Sequence, residues 1–197
     1  MVLGIGKGTT LLQGYLTGTK RYKGVGLLGS STDTGDSTGK VVSRSDCEHV
    51  TVQSIQKAAR SFVGNILQVP PMYSALHHNG TRLYDLARRG VEVEREARPV
   101  YVASISVDSS TALPYFCLDV ECGGGVYIRS LIADMGEACG THAHMTELSR
   151  TKQGQFRAEE CLYMENWNFE AICDSIRPLG ALVGSSATLS ENVEIAS

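Results

Sequence analysis

The chain has 197 residues, of which 42% are hydrophobic and 20% are charged. This composition supplies enough apolar side chain for the core of one domain of ordinary size, so it excludes a disordered chain. No apolar run reaches 18 residues and the N-terminus carries no signal-peptide pattern. We therefore predict an intracellular protein rather than a membrane-spanning or secreted one.

The charge is divided unevenly along the chain. The formal net charge is −3, but residues 1–157 carry +3 and residues 158–197 carry −6. We therefore expect a polyanion to bind the first part of the chain. A solvated acidic tail on a nearly neutral domain accounts for the same numbers.

The first third of the chain predicts short elements joined by a polar loop. Apolar residues 1–6 predict a strand, residues 9–16 a short helix, and residues 21–28 a strand whose glycines allow another backbone to approach closely. Residues 30–39 predict a loop rich in Ser, Thr, Asp and Gly. Helical spacing predicts a helix over residues 52–62. A capping residue and a terminating glycine bound this helix, Thr51 and Gly64.

The rest of the chain mixes helices with strands. Residues 81–87 predict a helix, and residues 100–107 and 115–121 predict strands, the second with its apolar residues on one face. Residues 128–135 predict another helix and residues 145–150 a shorter helical piece. A glycine follows each of the two longer helices, Gly90 and Gly140.

These strands do not alternate regularly with long crossover helices, as a doubly wound parallel sheet requires. We therefore predict an α+β fold in which helices flank a largely antiparallel or mixed sheet. Beyond residue 156 the periodicity weakens, and residues 185–197 predict a loose tail.

Three patterns suggest chemistries that their spacing does not support. The six cysteines form no C-x-x-C pair, and we interpret them as reduced thiols. His142 and His144 have no second ligand cluster at structural spacing, so we predict no metal site. The glycine-rich run at residues 4–10 is not a phosphate loop, because Met1 and Gly8 stand where that loop requires glycine and a hydroxyl residue.

Arg129 occupies an unusual position. Glycines 123–125 end a predicted strand and a helix begins at once, which places Arg129 in the first turn. A cation at the positive end of a helix is disfavoured by about 0.3–1 kcal/mol. Either the side chain points into solvent, or a carboxylate or phosphate compensates its charge, as in an active site.

Five ordered segments carry a family resemblance. They are KRY at residues 20–22, LGxxTDTxDxxG at 28–39, PPxYSAL at 70–76 with GxRLY at 80–84, GxYIRSL at 125–131, and AHMxELxRT at 143–151 with GxF at 154–156. Together they resemble the TruB family of tRNA pseudouridine synthases, in particular the eukaryotic-type tRNA pseudouridine-55 synthases. The match runs from about residue 2 to about residue 157.

The resemblance implies isomerisation of a uridine in the T-loop of transfer RNA to pseudouridine, a reaction that uses no metal and no organic cofactor. The target base must be flipped out of the folded RNA to be reached. The implied partner is the T-stem-loop of transfer RNA, or another RNA with a similar loop. The resemblance also implies a monomeric protein that has no membrane partner. The implied compartment is the nucleus, the cytoplasm or the mitochondrion.

The resemblance also assigns roles to individual residues. Tyr22 is expected to pack against the flipped uracil and Arg129 to pair with the catalytic aspartate. Leu148 is expected to line the uracil pocket, with Tyr127 beside it. Three basic residues are expected near the RNA backbone: Lys20, Arg21 and Arg150.

One family segment is missing from the match. In relatives the nucleophilic aspartate lies in a Gly-Gly-Thr-Leu-Asp segment just before a strand that resembles residues 2–6, and here the chain starts inside that strand. We therefore expect residues 1–157 to be a catalytic domain truncated at its N-terminus and inactive. Residues 158–197 are expected to be an acidic segment, closer to eukaryotic forms than to bacterial ones with a PUA-like domain.

The aspartates of the chain belong to other family segments. We therefore do not expect any of them to serve as the nucleophile, including Asp33, Asp36 and Asp134. On this interpretation the Arg129 guanidinium lacks its anionic partner, and its replacement should leave the chain as stable as before or slightly more stable.

Two alternatives from other classes stay open. An RNA-binding paralogue without isomerase activity would keep the basic and aromatic residues and lose the aspartate. A protein-interaction module would use its acidic tail to bind a basic partner, and only the uneven charge supports that hypothesis.

Overall fold

The computed structural model describes residues 2–177. Ten strands are present in this part of the chain: β1 Lys20–Leu28, β2 Ser30–Thr32, β3 Val41–Arg44, β4 Gly64–Gln68, β5 His77–His78, β6 Thr81–Arg82, β7 Arg98–Val107, β8 Tyr115–Cys122, β9 Ala143–Gln153 and β10 Phe156–Arg157. Its five α-helices are α1 Gly14–Thr17, α2 Val52–Ser61, α3 Leu83–Arg88, α4 Ile128–Ala138 and α5 Phe169–Ser175. Three 3₁₀ helices span Gly6–Leu11, Ala158–Glu160 and Met164–Asn166. None of these described helices is long and apolar enough to cross a membrane.

Six strands form one antiparallel sheet in the order β10-β9-β1-β8-β7-β4. Strand β1 lies near the middle, where Gly24 is paired with Leu118 of β8 on one side and with Leu148 of β9 on the other. Two small ribbons, β2 with β3 and β5 with β6, project from the connections. The α+β prediction with a largely antiparallel sheet is confirmed.

The core lies between one face of this sheet and helices α2 and α4. Phe116 of β8 and Leu131 of α4 are fully buried there, whereas Tyr115 is half exposed on the other face of β8. Gly26 of β1 is required by this packing, because a Cβ atom at that position would overlap the Phe116 ring and press on Ile132. The sheet therefore buries the face that carries α2 and α4 and leaves much of the opposite face open.

Local signals predicted most of the elements around this core. Helix α2 begins as expected: the Thr51 hydroxyl accepts from the Ser54 N–H at 3.1 Å, and the Ser54 hydroxyl accepts from the Thr51 N–H at 3.0 Å. The helix ends at Ser61, before Gly64, whose φ of 103° lies in the left-handed region. The predicted strands at residues 21–28, 100–107 and 115–121 correspond to β1, β7 and β8.

Two predicted elements are wrong. Residues 145–150 are not helical but belong to β9, which pairs with β1 from Lys20 to Leu28. This long-range pairing overrides the weak helical pattern of the local sequence. Residues 2–5 form no strand, and a 3₁₀ helix follows at Gly6–Leu11. The backbone turns there at Gly6, whose φ is 56°. The tail predicted for residues 185–197 lies outside the described residues.

Asp134 on α4 provides a test of how this helix is packed. Burial, reinforced by the charge of Glu137, raises the pKa of the Asp134 carboxyl to about 6. The folded state then binds the proton more tightly than the unfolded state. The contribution of Asp134 to the free energy of unfolding therefore falls as the pH rises from about 4 to about 6, and it stays lower above that range.

We expect Asp134→Asn to raise the free energy of unfolding at pH 7 by about 1 kcal/mol, a figure that discounts the shift for solvent screening. The gain should shrink towards pH 4. Urea unfolding at pH 4, 5, 6 and 7 measures this, with the exposed Glu48→Gln as the matched control. An equal effect of Asp134→Asn at pH 4 and pH 7 would contradict the assigned pKa.

Candidate active site

The guanidinium group of Arg129 is held by three acceptors from two distant segments. Its Nη1 atom donates to the Asp36 carboxylate and to the Thr34 carbonyl, each at 2.9 Å, and its Nη2 atom donates to the Tyr73 carbonyl at 2.6 Å. The Arg129 side chain is 21% exposed and that of Asp36 is 18% exposed. The expectation that Arg129 lacks an anionic partner is therefore wrong, because Asp36 fills that role.

Asp36 is fixed by its own loop. One carboxylate oxygen accepts from the hydroxyl groups of Thr34 and Thr38 and from the Thr38 N–H, and the other accepts from Arg129. Burial works to raise the pKa of Asp36, but the hydrogen bonds from Thr38 and Thr34 and the charge of Arg129 outweigh it. The pKa therefore lies below its ordinary value. A second aspartate closes the loop, because Asp33 accepts from the Lys40 N–H at 2.8 Å.

This loop is anchored to strand β9. The Met145 N–H donates to the Gly35 carbonyl at 3.0 Å, and the Ser37 N–H donates to the Met145 carbonyl at 2.9 Å. Asp36 forms a parallel bridge with Met145 in the same place. The charge partner of Arg129 and the strand that carries Leu148 are therefore parts of one hydrogen-bonded unit.

Tyr22, Leu148 and Arg150 share the face of the sheet that α4 covers. Tyr22 is paired with Arg150 and Gly24 with Leu148 across β1 and β9. A Cβ atom at Gly24 would lie 3.6 Å from Leu148 Cδ1 and 3.5 Å from Ile128 Cγ2, so Leu148 lies close to the first turn of α4. Leu148 is nevertheless 44% exposed, which leaves an apolar surface open at this end of the helix.

The phenol of Tyr22 is half-buried on this face. Burial raises its pKa, and the neighbouring Arg150 charge and hydrogen bond partly offset that effect. Tyr22 therefore presents a neutral ring at physiological pH. Tyr127 completes the group as the residue immediately before α4, with its side chain partly exposed.

Two of the predicted RNA-contacting cations lie elsewhere. Lys20 is buried, its Nζ atom donates to the Leu16 and Gly18 carbonyls at 2.7 and 3.1 Å, and burial lowers its pKa. Arg21 points to the opposite face of β1, where its Nε atom lies 2.6 Å from Asp119. Contact of Lys20 and Arg21 with RNA stays a prediction, but neither belongs to the cluster around Arg129.

The two histidines of the THAH segment face serines. His142 Nε2 lies 2.9 Å from the Ser43 hydroxyl, and His144 Nδ1 lies 3.0 Å from the Ser30 carbonyl. Within residues 2–177, no group of three His, Cys, Asp or Glu side chains is arranged to hold a metal ion.

Comparison with known families decides the affiliation of this site. The model of the N-terminal domain of TruB family pseudouridylate synthases matches residues 1–128, and the model of the C-terminal domain of tRNA pseudouridylate synthase B matches residues 129–187. The chain belongs to the TruB family. The boundary between the two models falls just before Arg129, so this TruB site is built across it.

Similar proteins from animals and bacteria agree with this affiliation. The chain is 45% identical to human pseudouridylate synthase TRUB1 over 194 residues, which cover 98% of the chain and 55% of the relative. It is 43% identical to tRNA pseudouridine synthase B of Geobacter sulfurreducens over 161 residues, which cover 82% of the chain and 53% of the relative. The chain thus spans about half the length of the curated TruB relatives it matches.

Solved structures support the fold. A chain in the crystal structure of a Cbf5-Nop10-Gar1 complex superposes with a TM-score of 0.58 at 26% identity, over 82% of this chain and 38% of that one. A chain in an H/ACA RNP bound to a substrate RNA containing 2′-deoxyuridine superposes with a TM-score of 0.54 at 23% identity, over 82% and 37%. The second likeness concerns the fold alone.

Sequence reasoning about this TruB chain missed the residues that hold Arg129. Asp36 belongs to a family segment, but no spacing in the sequence indicates that this segment reaches the start of α4. The Tyr73 carbonyl and the buried Gln68 were missed as well, since a backbone acceptor and an amide carry no recognisable sequence signal. The one available signal was Arg129 itself, whose position demanded an anion.

We expect Arg129→Met to lower the free energy of unfolding by about 1–3 kcal/mol, because three charge-assisted hydrogen bonds are lost and their acceptors are left without a donor. Asp36→Asn should be destabilising too, and a double-mutant cycle should give a coupling energy of about 0.5–3 kcal/mol. Arg21→Met, which breaks an exposed pair, is the matched control and should change stability little. Denaturant unfolding of the four variants measures these values, and additive effects of the two site variants would refute the ion pair.

Proposed function

We propose that this site receives a uridine of transfer RNA and that the protein is a tRNA pseudouridine synthase acting on the T-loop. The observation that carries the proposal is the Arg129 guanidinium, fixed by Asp36 and two carbonyls in the first turn of α4, together with the 44% exposed Leu148 close to that turn. The names of the similar proteins, pseudouridylate synthase and tRNA pseudouridine synthase B, support the same activity.

The surface beside Arg129 suits a flipped base. The Tyr22 ring and the Leu148 side chain offer apolar contacts to a uracil that has left its stack, and Arg150 beside them offers a positive charge to the RNA backbone. Tyr127 at the start of α4 would form a further wall. The isomerisation breaks the glycosidic bond and rejoins the same base through carbon, so no atom is gained or lost and no cofactor is required.

Arg129 retains the capacity to hold a second carboxylate. A guanidinium has five N–H donors, and the three hydrogen bonds to Asp36, Thr34 and Tyr73 use three of them. Nε and one Nη2 hydrogen have no partner among residues 2–177. In the family arrangement these donors would orient the nucleophilic aspartate, while Asp36 balances part of the arginine charge.

We propose that the 197-residue chain itself forms no pseudouridine. Its sequence contains no Gly-Gly-Thr-Leu-Asp segment. Asp36 cannot replace the nucleophile, because Thr34, Thr38 and Arg129 already engage its carboxylate. We also propose an intracellular monomer, in line with the family resemblance.

We expect no pseudouridine when the purified chain is incubated with a T-stem-loop RNA, with tRNA pseudouridine synthase B of Geobacter sulfurreducens as the positive control in a parallel reaction. Mass spectrometry after chemical labelling of pseudouridine measures the product. Product formed by the chain at enzymatic rates would show that another group acts as nucleophile and would refute the assignment of roles.

Binding should be separable from catalysis. We expect the affinity of the chain for a T-stem-loop to fall with salt, and Arg150→Gln to flatten the slope of log affinity against log salt by about one unit or less. Lys57→Gln, an exposed lysine of α2 without a predicted RNA contact, is the control and should change the slope less. Titrations at four salt concentrations test this. Salt-independent binding, or none by a folded sample, would favour the protein-interaction module instead.

A further inference from the structure

Gln68 is buried where the edge strand β4 ends beside the start of α4. The side chain is 2% exposed. Its amide oxygen accepts from the Tyr127 N–H at 2.8 Å, and its amide nitrogen donates to the Tyr127 carbonyl at 3.1 Å. A single side chain thus binds both backbone polar groups of the residue before the helix.

The start of α4 has little else to fix it locally. Three glycines precede it, at residues 123–125, and Gly125 has a φ of 88°. The N-cap residue Tyr127 makes no side-chain capping bond, whereas α2 and α5 are capped by Thr51 and Asn168. Since glycines leave a backbone free to take many conformations, the direction of this helix start depends on contacts from outside.

Those contacts come from the segment that Gln68 opens. The Ser130 hydroxyl donates to the Val69 carbonyl at 3.3 Å, and the Arg129 guanidinium donates to the Tyr73 carbonyl. Pro70 and Pro71 stiffen the backbone between these points because their rings fix φ. The segment from Gln68 to Tyr73 therefore follows the first turn of α4 and contacts it three times.

We propose that Gln68 is a positioning residue of the site. By fixing the Tyr127 backbone, its amide sets the direction in which Tyr127 and Arg129 face the bound nucleotide. The nucleotide part of this inference rests on the proposed function, while the effect on Arg129 can be measured without RNA. An apolar side chain of the same length would fill the volume but leave the Tyr127 N–H and carbonyl unpaired.

The test compares Gln68→Met with the exposed Gln53→Met by nitrogen NMR of the arginine guanidinium groups. A guanidinium held by Asp36, Thr34 and Tyr73 rotates slowly and gives separate Nη signals, which disappear in Arg129→Met and are thereby assigned. We expect Gln68→Met to merge these signals or shift them towards those of a free arginine, and Gln53→Met to leave them unchanged. Unchanged Arg129 signals in a folded Gln68→Met protein would overturn the proposal.

Gln68→Glu is the second variant, because burial favours its protonated carboxyl group, which can still accept from the Tyr127 N–H and donate to the Tyr127 carbonyl. We expect a smaller change in the Arg129 signals than in Gln68→Met. If both variants unfold, Gln68 is a folding residue and the proposal fails.

An RNA measurement separates this inference from the proposed function. The affinity for a T-stem-loop with the target uridine is compared with that for the same loop lacking the base at that position. We expect wild-type protein to prefer the uridine loop and Gln68→Met to lose that preference. A wild-type protein without any preference would count against the proposed function, whereas a preference that survives in Gln68→Met would count against the role of Gln68.

Discussion

An arginine side chain that is four-fifths buried at the positive end of a helix must be neutralised, and this requirement organises the site. Most of the Arg129 side chain is removed from water, and the protein supplies three acceptors from two other segments. The Asp36 loop provides the negative charge, and the segment after β4 provides a carbonyl. Loss of Asp36 would leave the Arg129 charge without its anionic partner, which costs more than the contact contributes.

The same requirement explains why the site is assembled from segments far apart in sequence. Strand β1 lies between β8 and β9, so Tyr22 is placed next to a strand that begins more than a hundred residues later. The Asp36 loop attaches to that strand through Met145. Each segment alone resembles ordinary loop or strand. Only the antiparallel sheet brings them to the first turn of α4, and no local pattern encodes that meeting.

Helix α2 and strands β1, β7 and β8 could be predicted from the sequence because capping residues, apolar spacing and β-branched residues act over a few positions. Strand β9 could not, since its pairing with β1 is a property of the whole sheet. The anion beside Arg129 was predictable from a helix dipole, but its identity was not. The resemblance predicts pairing of Arg129 with an aspartate that the match does not include, whereas in the structure Arg129 is paired with Asp36.

The environment of Asp36 also indicates which kind of carboxylate the site still accommodates. Its pKa is lowered and its oxygens are occupied by Thr34, Thr38 and Arg129, which suits a permanent charge and not a group that must attack. A nucleophile needs a free oxygen and an orienting cation. Under the proposed function, the Nε hydrogen and the second Nη2 hydrogen of Arg129 are the donors left for such a group. On that proposal one arginine serves two carboxylates: Asp36 holds the arginine in place, and the arginine in turn orients the nucleophile.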